Sequence, residues 1–289
     1  MTGTATLTTI GRYPAKSMLG ESLPRAELVE TGILGDRGWA TRDEIRGGIR
    51  GAKKIAGLMH LAARYLIEPV AGAPTPPIEI TLPNGTTVLS SDEDVHEAIS
   101  RALEHEVTLW PLQPATDLDH YRRGAPDSED FLEELRDIFG RTEDEPFPDF
   151  SVFPPEVMEF ESPPGTYLDA WPLMIMTTRS LSTLQELNPD SAIDVRRFRP
   201  NFLVDVGDTD ERWPELSWVG RRFSIGTAEI EVLAGCPRCV MVTRPVAELT
   251  EDRSVLRTIV REANQDLGVY ATVITPGTVS VGDPLIPID

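Results

Sequence analysis

The sequence predicts a mainly β chain with a few helices (an α+β class), built as an N-terminal β-barrel-like unit followed by a second β-barrel unit. Three observations carry this expectation. Short β-prone runs recur along the chain, cut by Gly, Pro and Asn. Only a few segments place apolar residues at helical spacing. The 289 residues, 40% of them hydrophobic, supply enough apolar material for one large core or two smaller ones.

The first third reads mainly as strands, at Ala5–Tyr13, Arg25–Glu30, Gly38–Arg42, Leu58–Leu66, Ile78–Leu82 and Val107–Trp110, with a turn at Pro83-Asn84-Gly85. One helix interrupts them at Asp92–Glu104, where Val95, Ala98, Ile99 and Leu103 share a face and Ser90 or Ser91 can cap it. A second helix is expected at Ser128–Phe139. Arg141–Gly165 follows, rich in Pro, Asp and Glu and without a clear period, as a linker or long loop. Beyond it the sequence predicts a buried strand at Leu173–Met176 and a short helix at Leu181–Leu187 capped by Ser180. Strands are expected at Asn201–Val206, Arg222–Ile225, Glu229–Leu233 and Val240–Thr243. Glu251–Leu267 is the clearest helix, and Val269–Ile274 with Thr278–Val281 reads as a final hairpin turned at Pro276-Gly277. The expected division is therefore 1–125, a linking segment 126–165, and 166–289.

Charge narrows the function classes. The net charge is -20 and the pI about 4.6, which disfavours nucleic acid and anionic membrane surfaces as partners. Met1-Thr2-Gly3-Thr4-Ala5-Thr6 lacks a basic stretch followed by an apolar one, so no signal peptide is expected. No apolar run reaches bilayer-spanning length. A cytoplasmic location is the corresponding expectation.

The two cysteines, Cys236 and Cys239, form one CxxC. A structural zinc site needs about four ligands, and His60, His96, His105 and His120 show no ligand spacing. A thioredoxin-type dithiol opens a helix, whereas Val240–Thr243 reads as a strand. Two inert core thiols are the plain alternative. Gly235 and Pro237 bend the chain here, and Arg238 beside Cys239 favours thiolate, the form that binds soft metals.

Other segments offer anion-binding chemistry. Arg196-Arg197-Phe198-Arg199-Pro200-Asn201 concentrates guanidinium groups, which suit phosphate, and Asn201 adds a donor and an acceptor for a heterocycle. Lys16 and Ser17 of Tyr13-Pro14-Ala15-Lys16-Ser17 end a strand, where charge and hydroxyl can serve a phosphate. Arg37 lies in the Gly-flanked turn Gly35-Asp36-Arg37-Gly38-Trp39. Thr177 and Thr178 can donate hydroxyls or cap the following helix. Gly47-Gly48-Ile49-Arg50-Gly51-Ala52-Lys53-Lys54 is glycine-rich and basic but lacks P-loop order, and reads as a surface loop or one near an anionic ligand. No GxSxG, HExxH or Rossmann fingerprint is present.

In this order the pieces resemble the MOSC family, and most of all its two-part members, in which a MOSC-associated β-barrel domain precedes the MOSC domain. The residues that carry the resemblance are Tyr13–Ser17, Gly35-Asp36-Arg37, Leu168-Asp169-Ala170-Trp171-Pro172, Phe198-Arg199-Pro200-Asn201, Cys236-Pro237-Arg238-Cys239 with Thr243, and Gly277–Pro284. The resemblance implies a molybdenum cofactor (molybdenum on molybdopterin), with Cys239 as the protein's thiolate ligand to the metal and the catalytic residue. It implies cofactor binding by Lys16, Ser17, Arg37, Arg199, Thr177 and Thr178, and Asn201 and Arg238 join this set. It further implies reduction of a small N-oxygenated substrate with electrons from a separate donor protein of ferredoxin or cytochrome type. A sulfur carrier working through a Cys239 persulfide, or a module that binds the cofactor without turnover, are the alternatives. The chain departs from the family's reductases in two places. Their Thr-Thr-Val-Asp-Pro run after the cysteine is here Val242-Thr243-Arg244-Pro245-Val246, and Gly47–Lys54 replaces a polar, Pro-containing stretch.

Overall fold

A computed structural model of the chain describes residues 5–288. Met1–Thr4, on which the reading of the N-terminus partly rests, lie outside the described residues. In chain order the strands and helices are β1 (Ala5–Arg12), β2 (Glu21–Leu23), β3 (Arg25–Val29), β4 (Gly32–Ile33), β5 (Trp39–Asp43), β6 (Ala62–Tyr65), β7 (Ile78–Thr81), β8 (Thr87–Leu89), α1 (Val95–Leu103), β9 (Val107–Pro111), α2 (Leu118–Tyr121), α3 (Phe131–Phe139) and α4 (Glu156–Glu159). There follow β10 (Leu173–Thr177), α5 (Thr178–Leu187), β11 (Phe202–Asp205), β12 (Arg222–Ile225), β13 (Ala228–Pro237), α6 (Arg253–Glu262), β14 (Asp266–Thr275), β15 (Gly277–Ser280) and β16 (Pro284–Ile288).

Seven strands close into a barrel in the order β11-β10-β14-β13-β12-β16-β1, with β1 returning to pair with β11. Only β10 and β11 run parallel. The period-2 alternation of β13, with Ala228, Ile230, Val232, Ala234 and Cys236 buried, shows how its sequence sets the inward face. Leu7, Ile10, Ile175, Phe202, Val204, Val269 and Trp218 complete the barrel interior. A second apolar cluster gathers Trp39, Leu58, Met59, Ile78, Ile80, Ile99 and Leu109. It lies under β5 paired with β9, the β6–β7–β8 meander and α1. The mainly β class with a few helices is what the structure has.

Strand pairing crosses the boundary expected at residue 125. β1 hydrogen-bonds β11 and β16, and β3 pairs with β15. The first strands thus complete the sheet of the last ones, because Ala5, Leu7, Ile10, Ala26 and Leu28 have their apolar partners there.

Several elements differ from the sequence reading. Val240–Thr243 is a 3-10 turn, not a strand, held by Thr243 Oγ1 donating to the Val240 carbonyl (2.8 Å). The expected hairpin at Pro276-Gly277 does not form, since β15 pairs with β3 rather than β14. Leu58–Leu66 splits into a 3-10 turn at Ala56–His60 and then β6. The clearest helix stops at Glu262, and its expected last residues open β14. The Arg141–Gly165 segment carries a 3-10 turn at Phe150–Val152 and the short α4. No helix among the described residues is long and apolar enough to cross a membrane.

Candidate functional site

One cleft is lined by Lys16, Ser17, Arg37, Arg199, Asn201, Arg238 and Cys239. These come from four separate chain regions, and the barrel brings them together. Lys16 and Ser17 sit in the turn after β1, Arg37 before β5, Arg199 and Asn201 before β11, and Arg238 with Cys239 just past the end of β13.

The backbone there is held in an uncommon conformation. Ser17 (φ 68°), Arg37 (φ 49°) and Arg199 (φ 57°) are three of the seven non-glycine residues with positive φ among the described residues. Each such residue costs about 1–3 kcal/mol unless its surroundings fix it, and such residues gather at ligand sites.

Asp36 is the fixing group. Its fully buried carboxylate accepts from the Tyr13 amide (2.7 Å), from Asn201 Nδ2 (2.9 Å) and from the Arg37 guanidinium. Tyr13 in turn donates its hydroxyl to the Pro200 carbonyl (3.0 Å), tying the two turns together. Both guanidinium groups lie over its ring, Arg199 at 4.2 Å and Arg37 at 4.8 Å from the centroid. Burial pushes the Tyr13 phenol up to about 12. Burial, and then repulsion from Arg37, brings Arg199 down to about 10. Arg199 donates to the Met18 carbonyl but has no carboxylate within ion-pair distance among the described residues. With Arg37 already paired to Asp36, the buried Arg199 is the charge on this ring for which an added anion is favoured.

Lys16 is fully engaged. Its ammonium donates to Asp169 Oδ1 (2.7 Å), the Tyr167 carbonyl (2.9 Å) and Ser162 Oγ (3.2 Å), which uses all three donors. Burial lowers its pKa against the pull of Asp169. Burial acts to raise the Asp169 carboxyl, yet Lys16, Lys53 and Arg37 together hold it far below the usual range. Ser17 Oγ accepts from the Ala52 amide (2.9 Å), joining the Gly47–Lys54 loop to the site. A Cβ at Gly51 would stand 2.7 Å from that oxygen, so this approach requires glycine.

Four expected site residues have other employment. Asn201 donates to the Gly11 carbonyl (3.2 Å) and Asp36, and its Oδ1 accepts from the Met174 amide (3.1 Å). Its amide braces strands instead of facing a heterocycle. The Arg238 guanidinium turns inward to the Leu267 carbonyl (2.7 Å), the Phe198 carbonyl (3.2 Å) and the sulfurs of Met174 and Met176, so it anchors the cysteine loop to the barrel. Thr177 is buried and caps α5, accepting from the Ser180 amide (3.1 Å) and donating to Glu215 (2.7 Å). It takes the capping role expected of Ser180. Thr178 reaches only Asp205 (3.4 Å), and neither threonine lines the cleft.

The cysteines part company. Cys236 is buried with Met174, Met176, Phe198 and Ile259, and burial pushes its thiol up. Cys239 is partly open to the cleft. The cations acting on Cys239 include Lys53 and Arg141. Arg141 also donates to the Arg238 carbonyl (3.0 Å) and so steadies the cysteine loop. No cluster of three or more His, Cys, Asp or Glu among the described residues is arranged as a metal site. Sequence reasoning missed Lys53 and Asp169 as cleft residues. Both lay within segments singled out above, but nothing in their spacing marked them.

The fold and site define a closed β-barrel with a cationic cleft around one accessible cysteine. Residues 164–286 match the family model described as the MOSC domain. The chain is similar to mitochondrial amidoxime reducing component 2 of Bos taurus (27% identical) and of Homo sapiens (28%), in each case over 134 residues. The matches take in 41% of this chain and 38% of each relative's length. Human mitochondrial amidoxime-reducing component 1 is 26% identical over a segment of the same size. Among solved structures, the YuaD protein from Bacillus subtilis aligns over 98% of this chain and 94% of its own, at 12% identity and a TM-score of 0.43. YiiM from Geobacillus stearothermophilus aligns over 41% and 55%, at 16% identity and a TM-score of 0.31.

Proposed function

We propose that the chain binds a molybdenum cofactor in this cleft and acts as an oxidoreductase on a small N-oxygenated substrate. The observation that carries the reading is the pair of arginines, Arg199 buried and Arg37 partly so, stacked on Tyr13 in the cleft that Cys239 enters. The donor set fits such a group. The guanidinium groups of Arg37 and Arg199 are suited to a pterin phosphate, and the Cys239 thiolate to a soft metal. Lys16 and Asp169 fix the wall between them. Held there by Arg37, Arg199 and Cys239, the cofactor would supply a two-electron redox centre. Reduction of an N-hydroxylated amidine then consumes two electrons and two protons and yields the amidine and water. The electrons come from a separate donor protein of ferredoxin or cytochrome type. The curated relatives are named for amidoxime reduction, which supports this substrate class. A cytoplasmic location completes the reading.

Elemental analysis with pterin detection, on protein from a cofactor-competent host, tests it. About one molybdenum per chain is expected. Cys239→Ser should lose most of the metal and retain pterin, and Arg199→Met should lose both. Full metal loading and activity in Cys239→Ser would refute the role given to that residue. Wild-type protein that carries added sulfur on Cys239 and no pterin would make it a sulfur carrier instead.

A further inference from the structure

A second hollow adjoins the cleft and shares Lys53 with it. It lies between α3, the 3-10 turn after Cys239, and the start of α6. Its volume is about 570 Å³. Seven Lys and Arg line it against three Asp and Glu, a local reversal of sign in a chain of net charge -20.

Four of the seven cations are paired with carboxylates, Lys53 with Asp169, Lys54 with Asp127 and Glu134, Arg253 with Glu251 and Arg257 with Glu145, whereas Arg136, Arg141 and Arg244 have no ion pair among the described residues. Of the three carboxylates, Asp127 is bound by Arg50 and Lys54, and Glu251 by Arg253. Arg136 rests on the Phe147 ring, 5.8 Å from its centroid, with no carboxylate partner among the described residues. Arg141 is buried and its guanidinium meets only neutral acceptors, the carbonyls of Phe139, Pro146 and Arg238 and the Gln265 side chain. Arg244 makes no ion pair among the described residues, and its Nε is buried without a hydrogen-bond partner there. An orphaned buried guanidinium donor is costly unless a ligand meets it.

We propose that this trough holds a phosphate-type dianion on the substrate, while the reducible end of the same molecule reaches past Lys53 to Cys239. The assignment rests on the reductase reading for the reaction, but not for the binding. The hollow is concave and of the size that encloses a small molecule, whereas a protein partner needs a broad face. Lys53 belongs to both hollows, so one molecule can span them without crossing a barrier of opposite charge.

Two measurements on the cofactor-loaded protein test the proposal. Calorimetric titration with inorganic pyrophosphate should show saturable binding that weakens as salt is added. Arg136→Ala and Arg244→Ala should each raise the Kd roughly tenfold, the loss of one charge-assisted contact. Arg244→Lys should restore part of it. Absence of binding at millimolar pyrophosphate overturns the proposal. So does a Kd that neither trough variant moves, since the anion then sits elsewhere. The second measurement compares an N-hydroxylated benzamidine bearing a phosphonate with its uncharged parent. A lower KM for the phosphonate, lost in Arg244→Ala, is expected. Equal KM values overturn the trough as a substrate site. Reduction of neither compound, with pyrophosphate binding intact and sensitive to Arg136 and Arg244, removes the reductase reading and keeps the anion site.

Discussion

The cleft and the trough are both cationic, but they hold their charges in opposite ways. In the cleft, Arg37 is tied to Asp36 and Lys16 to Asp169, Tyr167 and Ser162 before any ligand arrives. In the trough, Arg136 and Arg244 have no carboxylate partner among the described residues. The first arrangement fixes geometry to suit a resident group that stays bound. The second leaves charge available to a molecule that comes and goes. Held charges are bound to the fold's stability, and available ones are not, so substitutions should separate the two regions.

The largest effect should come from Asp36→Ala. Removing this buried carboxylate strands Arg37 and unties Tyr13 and Asn201, a loss of about 3–5 kcal/mol in unfolding free energy. Urea denaturation measures it, and a loss below about 1 kcal/mol would show that the turns are held by other means. The next effect is a pH dependence at the seam between the regions. Asp266 lies at the start of β14, where burial, opposed by Arg238 and Arg141, raises its carboxyl to about 6. Between pH 4 and 6 it keeps a proton in the folded state that the unfolded chain has released. Stability should therefore fall as pH rises through that window and level off above it, by no more than about 3 kcal/mol. Asp266→Asn should flatten the profile. The smallest effect is expected in the trough, where Arg136→Ala and Arg244→Ala should change stability by about 0.5 kcal/mol or less. A loss there comparable to that at Asp36 would erase the distinction.

Much of the cleft was legible in the sequence because its residues stand in short, chemically pointed runs. Lys16, Ser17, Arg37, Arg199 and Cys239 were read from such runs and line one hollow. What a side chain faces was harder to read. Asn201 stands out for its donor and acceptor and Arg238 for its charge beside Cys239, yet their donors are used by Gly11, Asp36, Leu267 and Phe198. Thr177 was chosen for its hydroxyl, which sequence alone cannot tell from a helix cap. The barrel class followed from strand periodicity, but strand partners did not. β1 and β11, or β3 and β15, carry no mutual signal in one sequence, because pairing over such separations is settled by which apolar faces fit. Val240–Thr243 misled for a local reason. Its β-branched residues favour a strand, and one hydroxyl-to-carbonyl bond with Pro245 close behind turns the segment instead.

The pairing of Leu7 with Val204 has a consequence for the order of events during synthesis. The strand that closes the barrel is followed at once by one partner, β2, but the two barrel strands that flank it, β11 and β16, are made far later. Until they are, β1 has only the short β2 to pair with, and its apolar side chains are open to chaperones and to self-association. Contacts over such sequence distances form slowly. Lys16 and Ser17, which follow that strand directly, therefore wait for nearly the whole chain before they meet Arg199 and Cys239.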